Sequence, residues 1–445
     1  MSEINPVIFR EYDIRGVYPD EFDEDAAYKI AAAFCQYLEQ KKHFGPVVVG
    51  YDARISSPSL ANAFKQGVLD QGRDALDLGM VTTPLFYFAF NSAKAAGGAM
   101  ITASHNSGDL NGIKLIREGG VSVYGKDGLP EVRKFVGDGV GIKMGKGRLV
   151  QKEFVSDYVD YLKIYAEVSR PLRVVADASN GSAGPVLEKF FGGLKNVAVE
   201  KIFFSASGDF TEHSPNPLSE KALDFAVKKV IETKADLGFV LDADGDRIIF
   251  IDEKGDYMPA DLMYAFLLDN LLERGDLVLA DVSMSKVIED VCRKKDAVFE
   301  RAPVGHANVK AMMRAKEARF AGELSGHFYF KDFFYSDSAL LALSHVLSLA
   351  SKTDEPLSKI IEPYKKYFNS GQLNFSVKNP EEVIERLKKE YADGRQSFLD
   401  GLTVEYQDWW FNVRASKTEP LVRLVVEAES RELMEEKIKE LTEKI

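Results

Sequence analysis

The chain has 445 residues, too many for one hydrophobic core, and its 45% hydrophobic and 28% charged residues are ordinary for a globular protein of roughly two to four domains. Its formal net charge of −12 argues against a nucleic-acid partner, and no stretch approaches the ~20 apolar residues that cross a bilayer. The widely spaced Cys35 and Cys292 predict buried thiols rather than a disulfide framework, and the first ten residues lack the pattern of a signal peptide. We therefore expect a cytoplasmic protein.

A short β-branched run followed by a capped helix occurs three times, beginning at Pro46, Leu172 and Asp276. Short apolar strands alternating with helices are typical of sheets built from βαβ units. After Ser370 the pattern changes to a strand, a helix, three strands and a charged helix. The sequence therefore predicts three related α/β domains with mixed sheets and a C-terminal α+β domain around a central cleft, at 1–150, 151–250, 251–369 and 370–445.

A strand at Gly98 to Thr102 precedes a polar loop from Ala103 to Gly112, which contains Ser104. A serine on such a loop can be exposed, as a phosphoryl carrier requires, although a simple turn residue is the commoner explanation. The G-x-S-x-G turn of serine hydrolases is absent around this serine.

The segment LGFVLDADGDRIIFID holds three carboxylates at alternate positions between two apolar runs: Asp242, Asp244 and Asp246. Such oxygen ligands can converge on a hard cation such as Mg²⁺. The apolar runs, Leu237 to Leu241 and Ile248 to Ile251, predict strands and exclude the helix–loop–helix of an EF-hand. A solvated acidic turn is the alternative, and Arg247 could pair with the acids or contact a phosphate.

Two later loops carry groups suited to a sugar phosphate. In AGELSGHFYF, Glu323, Ser325 and His327 alternate between apolar runs, where they can bind hydroxyl groups, although a plain glycine-rich turn fits equally. In VRASKTEPLVR, cationic and hydroxyl side chains in an otherwise acidic chain suit a phosphate dianion. These are Arg414, Ser416, Lys417, Thr418 and Arg423.

Together with FREYDIRG, which holds Arg10 and Arg15, these segments occur in the order found in the α-D-phosphohexomutase family, and the chain resembles that family over residues 9–428. The form GELSGH is similar to its phosphomannomutase/phosphoglucomutase branch. The resemblance implies an isomerase that interconverts hexose 1-phosphates and hexose 6-phosphates of mannose or glucose. It further implies a phosphoserine, a hexose 1,6-bisphosphate intermediate that also acts as activator, and Mg²⁺.

The resemblance also implies roles for single residues. The metal ligands would be phosphorylated Ser104, Asp242, Asp244 and Asp246. The catalytic residues would be Ser104, Lys114, His327, Arg15, Arg247 and His105, with Lys114 and His327 handling protons. The substrate-binding residues would be His306, Glu323, Ser325, Arg414, Ser416, Lys417, Thr418 and Arg423.

Three positions depart from the family pattern. Ser107 replaces a proline and leaves its loop less rigid, Ala243 replaces a glycine, and Ser283 stands where some members have a lysine. The open alternatives are a phosphoglucosamine or phosphopentose mutase, a phosphatase, and a non-catalytic sugar-phosphate-binding protein. We expect the chain to be a monomer or a homodimer. Binding alone requires neither a nucleophile nor a metal triad, which favours an enzyme.

Overall fold

The computed structural model describes residues 4–139, 141, 143, 145–416 and 421–445. The α-helices within these residues are α1 Glu24–Gln40, α2 Ser57–Asp70, α3 Thr83–Ala93, α4 Leu129–Asp138, α5 Val155–Lys163, α6 Gly184–Gly192, α7 Asp224–Thr233, α8 Ala260–Leu271, α9 Val287–Lys294, α10 His306–Lys316, α11 Ala339–Ala350, α12 Leu357–Ile361, α13 Pro380–Glu390 and α14 Arg431–Lys444. Short 3₁₀ helices lie at Pro6–Ile8, Glu118–Gly120, Lys331–Phe333 and Glu362–Tyr364. None of the described helices has the length and apolar character needed to span a bilayer.

The strands are β1 Ile14–Val17, β2 Val47–Tyr51, β3 Ala75–Met80, β4 Gly97–Ile101, β5 Leu110–Arg117, β6 Val121–Val123, β7 Leu149–Gln151, β8 Leu172–Asp177, β9 Val197–Ile202, β10 Leu237–Leu241, β11 Ile248–Asp252, β12 Tyr257–Met258, β13 Leu277–Asp281, β14 Val298–Ala302, β15 Phe320–Gly322, β16 Phe328–Phe330, β17 Ser336–Asp337, β18 Phe368–Asn369, β19 Leu373–Ser376, β20 Arg395–Ser397, β21 Leu402–Glu405, β22 Trp409–Ala415 and β23 Leu421–Ala428. Two compact units contain these elements. Unit 1 comprises residues 1–257 and 332–357, and unit 2 comprises residues 258–331 and 358–445.

The first sheet of unit 1 has the strand order β1-β5-β4-β2-β3-β7, with β6 added on β5. β2 lies parallel to both β3 and β4, so the loops that follow β2 and β4 leave from the same edge of the sheet. α1 and α2 pack against this sheet and bury Phe34, Tyr37 and Phe64. Asp23 caps α1, because its carboxylate accepts a hydrogen bond from the backbone of Ala26 at 2.8 Å.

The second sheet of unit 1 has the strand order β12-β11-β10-β8-β9. β10 is parallel to β8 and antiparallel to β11, so the sheet is mixed, as predicted. The acidic segment forms the connection between β10 and β11, which confirms the predicted strand–loop–strand. This arrangement places three carboxylates where a parallel strand ends.

Residues 332–357 belong to unit 1, although the chain on both sides of them belongs to unit 2. α11 of this segment packs against α5 and β11. The hydroxyl of Ser338 caps α11 by accepting from the backbone of Leu341, and it lies 3.2 Å from the hydroxyl of Tyr158 on α5. The ring of Phe333 contacts those of Tyr158 and Tyr161. Unit 1 is therefore completed by a segment distant in sequence.

In the residues that the structure describes, unit 2 contains two sheets. The first has the strand order β14-β13-β15-β16, in which β13 is parallel to β14 and β15. The second, C-terminal sheet is antiparallel, β18-β23-β22-β21-β20 with β19 on β23, and α13 and α14 pack on it. Glu427 on β23 joins the two sheets, since its buried carboxylate accepts from the backbone of Lys286 at 2.9 Å and from Trp410 Nε1 at 2.8 Å. Cys35 and Cys292 are buried free thiols, as predicted.

Candidate active site

Ser104 lies in the loop after β4 and has a left-handed backbone, with φ of 52°. Its backbone N–H donates to Thr102 Oγ1 at 2.8 Å, its hydroxyl donates to Asp242 Oδ2 at 3.3 Å, and His105 Nδ1 lies 3.5 Å from the same hydroxyl oxygen. The expectation of an exposed serine is wrong, because Ser104 is only 3% exposed and its hydroxyl is directed at Asp242. The loop is also shorter than predicted, since β5 begins at Leu110.

The three aspartates of the loop between β10 and β11 are buried, and their carboxylate oxygens lie within 4.8 Å of one another. Asp244 Oδ2 accepts from Thr83 Oγ1 at 2.5 Å and from Lys114 Nζ at 2.7 Å. In the described part of the chain, Asp244 Oδ1 is buried without a hydrogen-bond partner. Because buried polar atoms are rarely left without a partner, this oxygen and the neighbouring Asp242 and Asp246 fit a bound cation.

Lys114 on β5 forms a buried ion pair with two of these acids. Its Nζ lies 2.7 Å from Asp244 Oδ2 and 2.6 Å from Asp246 Oδ2. Burial acts to lower the pKa of Lys114, but the two carboxylates outweigh it and hold the pKa well above its usual value. Lys114 is therefore a protonated ammonium group that offsets part of the negative charge.

Two arginines complete this cluster in unit 1. Arg15 on β1 donates from Nη1 to Asn106 Oδ1 at 2.8 Å and forms an ion pair with Asp13. Arg247 Nε lies 3.6 Å from Asp242 Oδ2, and its backbone N–H donates to Asp242 Oδ1 at 3.2 Å. The structure thus gathers the predicted catalytic residues of unit 1 around Ser104 and the acidic loop.

In unit 2, Glu323 follows β15 and is the centre of a second polar cluster. Its Oε1 accepts from the backbone of Gly305 at 2.7 Å, and its Oε2 accepts from the hydroxyl of Tyr329. His327 Nδ1 lies 3.1 Å from Glu323 Oε2 and 2.9 Å from Ser325 Oγ. Three residues predicted to bind substrate or move protons therefore form one hydrogen-bonded group.

Glu323 stays ionised in this environment. Burial acts to raise its pKa, but hydrogen bonding and charge from His327, with hydrogen bonds from Tyr329 and Gly305, outweigh burial and lower the pKa below its ordinary value. His306 follows Gly305 and is the first residue of α10. The loop between β15 and β16, predicted to bind the sugar, is called the sugar loop below. The bond to Gly305 therefore ties the start of α10, with its predicted substrate residue, to this loop.

The predicted phosphate loop connects β22 and β23. Arg414, 7% exposed, donates from Nη2 to Gln372 Oε1 at 2.7 Å, and its backbone pairs directly with that of Arg423. The backbone N–H of Ser416 donates to the carbonyl of Leu421 at 2.8 Å, so the pairing of β22 with β23 continues to this residue. The other two predicted residues of the loop lie outside the described residues: Lys417 and Thr418.

Comparisons with known proteins match this arrangement. Family profiles described as phosphoglucomutase/phosphomannomutase alpha/beta/alpha domains I, II and III and C-terminal domain match residues 6–131, 152–255, 255–367 and 373–444. A phosphomannomutase of Vibrio cholerae is 35% identical over 98% of each chain, and one of Escherichia coli is 34% identical over 94% of each. The crystal structure of a family protein from Burkholderia thailandensis superposes with a TM-score of 0.91 at 30% identity, covering 99% of this chain and 97% of that chain.

The chain belongs to the phosphoglucomutase/phosphomannomutase family. It is an enzyme of the hexose-phosphate mutase class, and the predicted family and fold class are confirmed.

Two of the three departures of this phosphohexomutase from the family pattern, Ala243 and Ser283, are accommodated locally. Ala243 is absent from the described residues with positive φ, so the missing glycine imposes no strain there. Ser283 donates its hydroxyl to Asp281, whose other oxygen accepts from the backbone of Leu324 at 2.9 Å. Ser283 thus helps to orient the carboxylate that holds the sugar loop of this phosphohexomutase.

Sequence reasoning missed several buried charged residues of this phosphohexomutase. The available signal was their position, since each directly follows an apolar strand or its turn, where side chains of parallel strands meet. The missed residues with described contacts to the site loops are Asp52, Arg54 and Asp281. A fourth missed residue, the half-buried Asp400, lies between two antiparallel strands and carried no such signal.

Proposed function

We propose that this phosphohexomutase interconverts the 1- and 6-phosphates of mannose and glucose through a phosphoserine at Ser104. The observation that carries the proposal is the 3.3 Å hydrogen bond from Ser104 Oγ to Asp242, beside two further buried aspartates and Lys114. A hydroxyl held against an acidic triad and an ammonium group suits phosphoryl transfer, which depends mainly on positioning and charge stabilisation. The name phosphomannomutase, borne by relatives 34–35% identical, supports mannose phosphates among the substrates.

In the first half of the reaction, the bond between phosphorus and Ser104 Oγ breaks, and a new bond forms from phosphorus to the free hydroxyl oxygen of the sugar phosphate. The sugar hydroxyl loses its proton, and Ser104 Oγ gains one. The second half reverses these changes with the other phosphate of the hexose 1,6-bisphosphate, so the serine is phosphorylated again. We assign the proton transfers to Lys114 and His327, with His105 beside the serine hydroxyl.

We propose Mg²⁺ as the cation held by Asp242, Asp244, Asp246 and phosphorylated Ser104. Support comes from the buried triad and from Asp244 Oδ1, which lacks a hydrogen-bond donor in the described part of the chain. When bound, the ion supplies positive charge that stabilises the phosphoryl oxygens. Arg15 contacts Asn106 in the loop that contains Ser104, called the serine loop below, and Arg247 contacts Asp242 in the acidic loop. Both add guanidinium charge for the same phosphoryl group.

Unit 2 supplies the groups proposed to bind the rest of the substrate. Glu323 and Ser325 accept and donate to sugar hydroxyls, and His306 helps to place the sugar. The phosphate that is not being transferred binds to a loop with guanidinium, ammonium and hydroxyl groups. Its residues are Arg414, Ser416, Lys417, Thr418 and Arg423. The cytoplasmic location, a monomeric or homodimeric state and activation by a hexose 1,6-bisphosphate belong to the same proposal and rest on the sequence.

The phosphoserine is tested by mass spectrometry of the intact protein after incubation with glucose 1,6-bisphosphate. The wild type should gain the mass of one phosphoryl group, and Ser104→Ala should gain none. Ser107→Ala, a serine in the same loop, is the matched control and should still be labelled. Labelling of Ser104→Ala together with wild-type turnover would rule out this assignment.

Substrate preference is tested with mannose 1-phosphate, glucose 1-phosphate and glucosamine 1-phosphate under identical conditions with bisphosphate present. We expect the highest kcat/KM values for mannose and glucose phosphates. A clear preference for the amino sugar would replace the proposed substrates with the phosphoglucosamine alternative and leave the phosphoserine chemistry intact.

A further inference from the structure

Arg54 has no role in the chemistry proposed above, yet it is fully buried directly beneath the serine loop. It lies between β2 and α2, at the sheet edge from which the loop after β4 also leaves. An arginine is rarely buried completely unless its charge and all its donors are satisfied. The hydrogen-bond acceptors of this guanidinium therefore indicate the role of Arg54.

Four of its hydrogen bonds go to backbone carbonyls of the serine loop. Nη2 donates to the carbonyls of Ser104 and Asn106, each at 2.6 Å. Nη1 donates to the carbonyls of Ser107 at 2.5 Å and Leu110 at 3.2 Å. A single side chain thus binds the loop at its reactive residue, in its middle and at its end.

Asp52 holds Arg54 in this orientation. Its Oδ2 accepts from Arg54 Nε at 3.0 Å and from Thr102 Oγ1 at 2.7 Å, and its Oδ1 accepts from Ser57 Oγ at 2.6 Å. With this contact all five N–H donors of the guanidinium have acceptors. Thr102 Oγ1 in turn accepts from the backbone of Ser104, so the carboxylate and the arginine fix the peptide groups on both sides of the serine.

The loop between β9 and α7, which follows a strand of the second sheet of unit 1, covers Arg54. The ring of Phe210 lies 5.2 Å from the Arg54 guanidinium carbon, within cation–π range. Gly208 has φ of 65°, and a Cβ there would lie 1.8 Å from the carbonyl oxygen of Ala53, so only glycine permits this approach. The loop that contains these residues thereby helps to keep water from the hydrogen bonds of Arg54.

The serine loop needs such support. Ser104 has a left-handed backbone, which is strained for any residue other than glycine. Ser107 lacks the fixed φ that a proline would supply in the same loop. Hydrogen bonds from a rigid, fork-shaped guanidinium supply the constraint that the loop sequence does not provide.

We propose that Arg54 is a positioning residue that holds the Ser104 loop in the conformation required for phosphoryl transfer. The inference rests on the proposed function, in which Ser104 carries the phosphoryl group. A residue that acted only on stability would lower the folded fraction and leave the turnover of each folded molecule unchanged. A positioning residue changes kcat in molecules that remain folded.

The test compares Arg54→Lys and Arg54→Ala with the wild type, using kcat per folded molecule, KM for glucose 1-phosphate, and the rate of Ser104 labelling. Lysine keeps a charge beside Asp52 but cannot reach four carbonyls from a fixed plane. Since small misplacements of a reacting group cost about 100-fold in rate, we expect kcat to fall by roughly that factor while KM changes little. Millimolar guanidinium chloride should restore part of the kcat of Arg54→Ala and should not affect the wild type.

Lys65→Met is the matched control. Lys65 forms another buried ion pair of unit 1, 2.6 Å from Asp77, and neither residue contacts the serine loop in the described hydrogen bonds. Its thermal midpoint should fall while kcat per folded molecule stays normal. A normal kcat in Arg54→Lys, a kcat loss in Lys65→Met equal to that of Arg54→Lys, or no guanidinium rescue of Arg54→Ala would overturn the inference.

Phe210→Ala keeps the test decisive if the Arg54 variants fail to fold. This half-buried ring contributes a cation–π contact, so its loss should lower kcat roughly threefold at unchanged KM, and an unchanged kcat would count against the inference. Failure of the proposed function gives a different result. In that case wild-type Ser104 would take up no label, whereas a labelled wild type with fully active Arg54 variants would refute only the role of Arg54.

Discussion

Donors from three residues converge on the buried carboxylate of Glu323: the backbone of Gly305, the hydroxyl of Tyr329 and the ring of His327. The carboxylate accepts all of them only while it is ionised, which is consistent with its lowered pKa. A side-chain amide of the same shape would direct N–H groups at one of these donors. Replacing Glu323 by glutamine therefore tests the importance of its charge, because the side chain keeps its shape.

Glu323→Gln should raise KM for hexose phosphates about tenfold, because a hydrogen bond to a charged group contributes about 1.5–3 kcal/mol. It should also change the ratio of KM values between mannose and glucose phosphates, which differ only in how their hydroxyls are arranged. Steady-state kinetics with both sugars measure this. Glu300→Gln, at an exposed ion pair with Lys316, is the control and should be neutral. An equal effect on both sugars would mean that Glu323 supports the loop without reading the sugar.

The sequence predicts the strands and the clustered carboxylates of the site, but it does not predict contacts between side chains that are distant in sequence. The strands around the acidic loop and the clustering of Asp242, Asp244 and Asp246 follow from apolar runs and alternate carboxylates. The burial of Ser104 does not follow, because local composition carries no information about a partner 138 residues away. Arg54 was missed for a related reason, since its partners in the loop are backbone carbonyls, which any sequence possesses.

At the scale of the elements, four parallel strands share one feature. Each of β4, β10, β13 and β15 ends directly before a loop that carries site residues or residues that hydrogen-bond to them. Parallel strands deliver such loops to one edge of a sheet, and the same rule accounts for Asp52 after β2 and Asp281 at the end of β13. The connections between elements then decide how firmly each loop is held.

The loop between β14 and α10 is held from the C-terminal sheet, because Asp400 Oδ2 accepts from the backbone of Val304 at 2.9 Å. Asp400→Ala removes this contact and leaves the loop before His306 less constrained. We expect KM for mannose and glucose phosphates to rise by a similar factor, about tenfold at most, because one hydrogen bond to a charged group is lost. Asp408→Ala, at an exposed acid of the same sheet, should leave KM unchanged. Unchanged KM in Asp400→Ala would refute this coupling.

α8 provides a pH-dependent element. Asp261 in its first turn is buried, and burial together with the carboxylate of Glu427 raises the pKa of Asp261 to about 7. Its unfolded-state pKa is about 3.9, so between roughly pH 4 and 7 the folded protein retains a proton that the unfolded chain has lost. The stability contributed by this group is therefore greatest at low pH and falls as the pH rises through that window.

Asp261→Asn removes the titration and keeps an oxygen that can accept from the backbone of Leu262. The variant should gain in thermal midpoint relative to the wild type at pH 8 and gain much less at pH 5, the difference corresponding to on the order of 3 kcal/mol. Thermal melts at both values measure it. Glu432→Gln, which removes an exposed acid from the first turn of α14, should show no such pH dependence. A gain of equal size at both pH values would contradict the argument.

At the scale of the whole molecule, the charged groups proposed for the metal all belong to unit 1, whereas the sugar and phosphate loops belong to unit 2. Mg²⁺ alone should therefore slow hydrogen exchange in peptides that cover 98–116 and 237–252. Peptides that cover 373–416 should exchange at their original rate. Asp244→Asn should abolish the slowing by Mg²⁺. Slowing of equal size in the C-terminal peptides, or slowing that survives in Asp244→Asn, would argue against the acidic triad as the binding site.

Residues 258–331 separate the two segments of unit 1, so the ribosome synthesises part of unit 2 before unit 1 is complete. Tyr158 and the Ser338 hydroxyl that it contacts are 180 residues apart, so α5 leaves the exit tunnel long before α11 exists. A nascent chain that has reached Tyr257 already contains both sheets of unit 1, yet the apolar surface that α11 and Phe333 occupy on α5 is still uncovered. Folding of the amino-terminal half is therefore finished only after the start of unit 2 has been made. Products that terminate before Asp332 should be recognised by chaperones and proteases through that exposed surface.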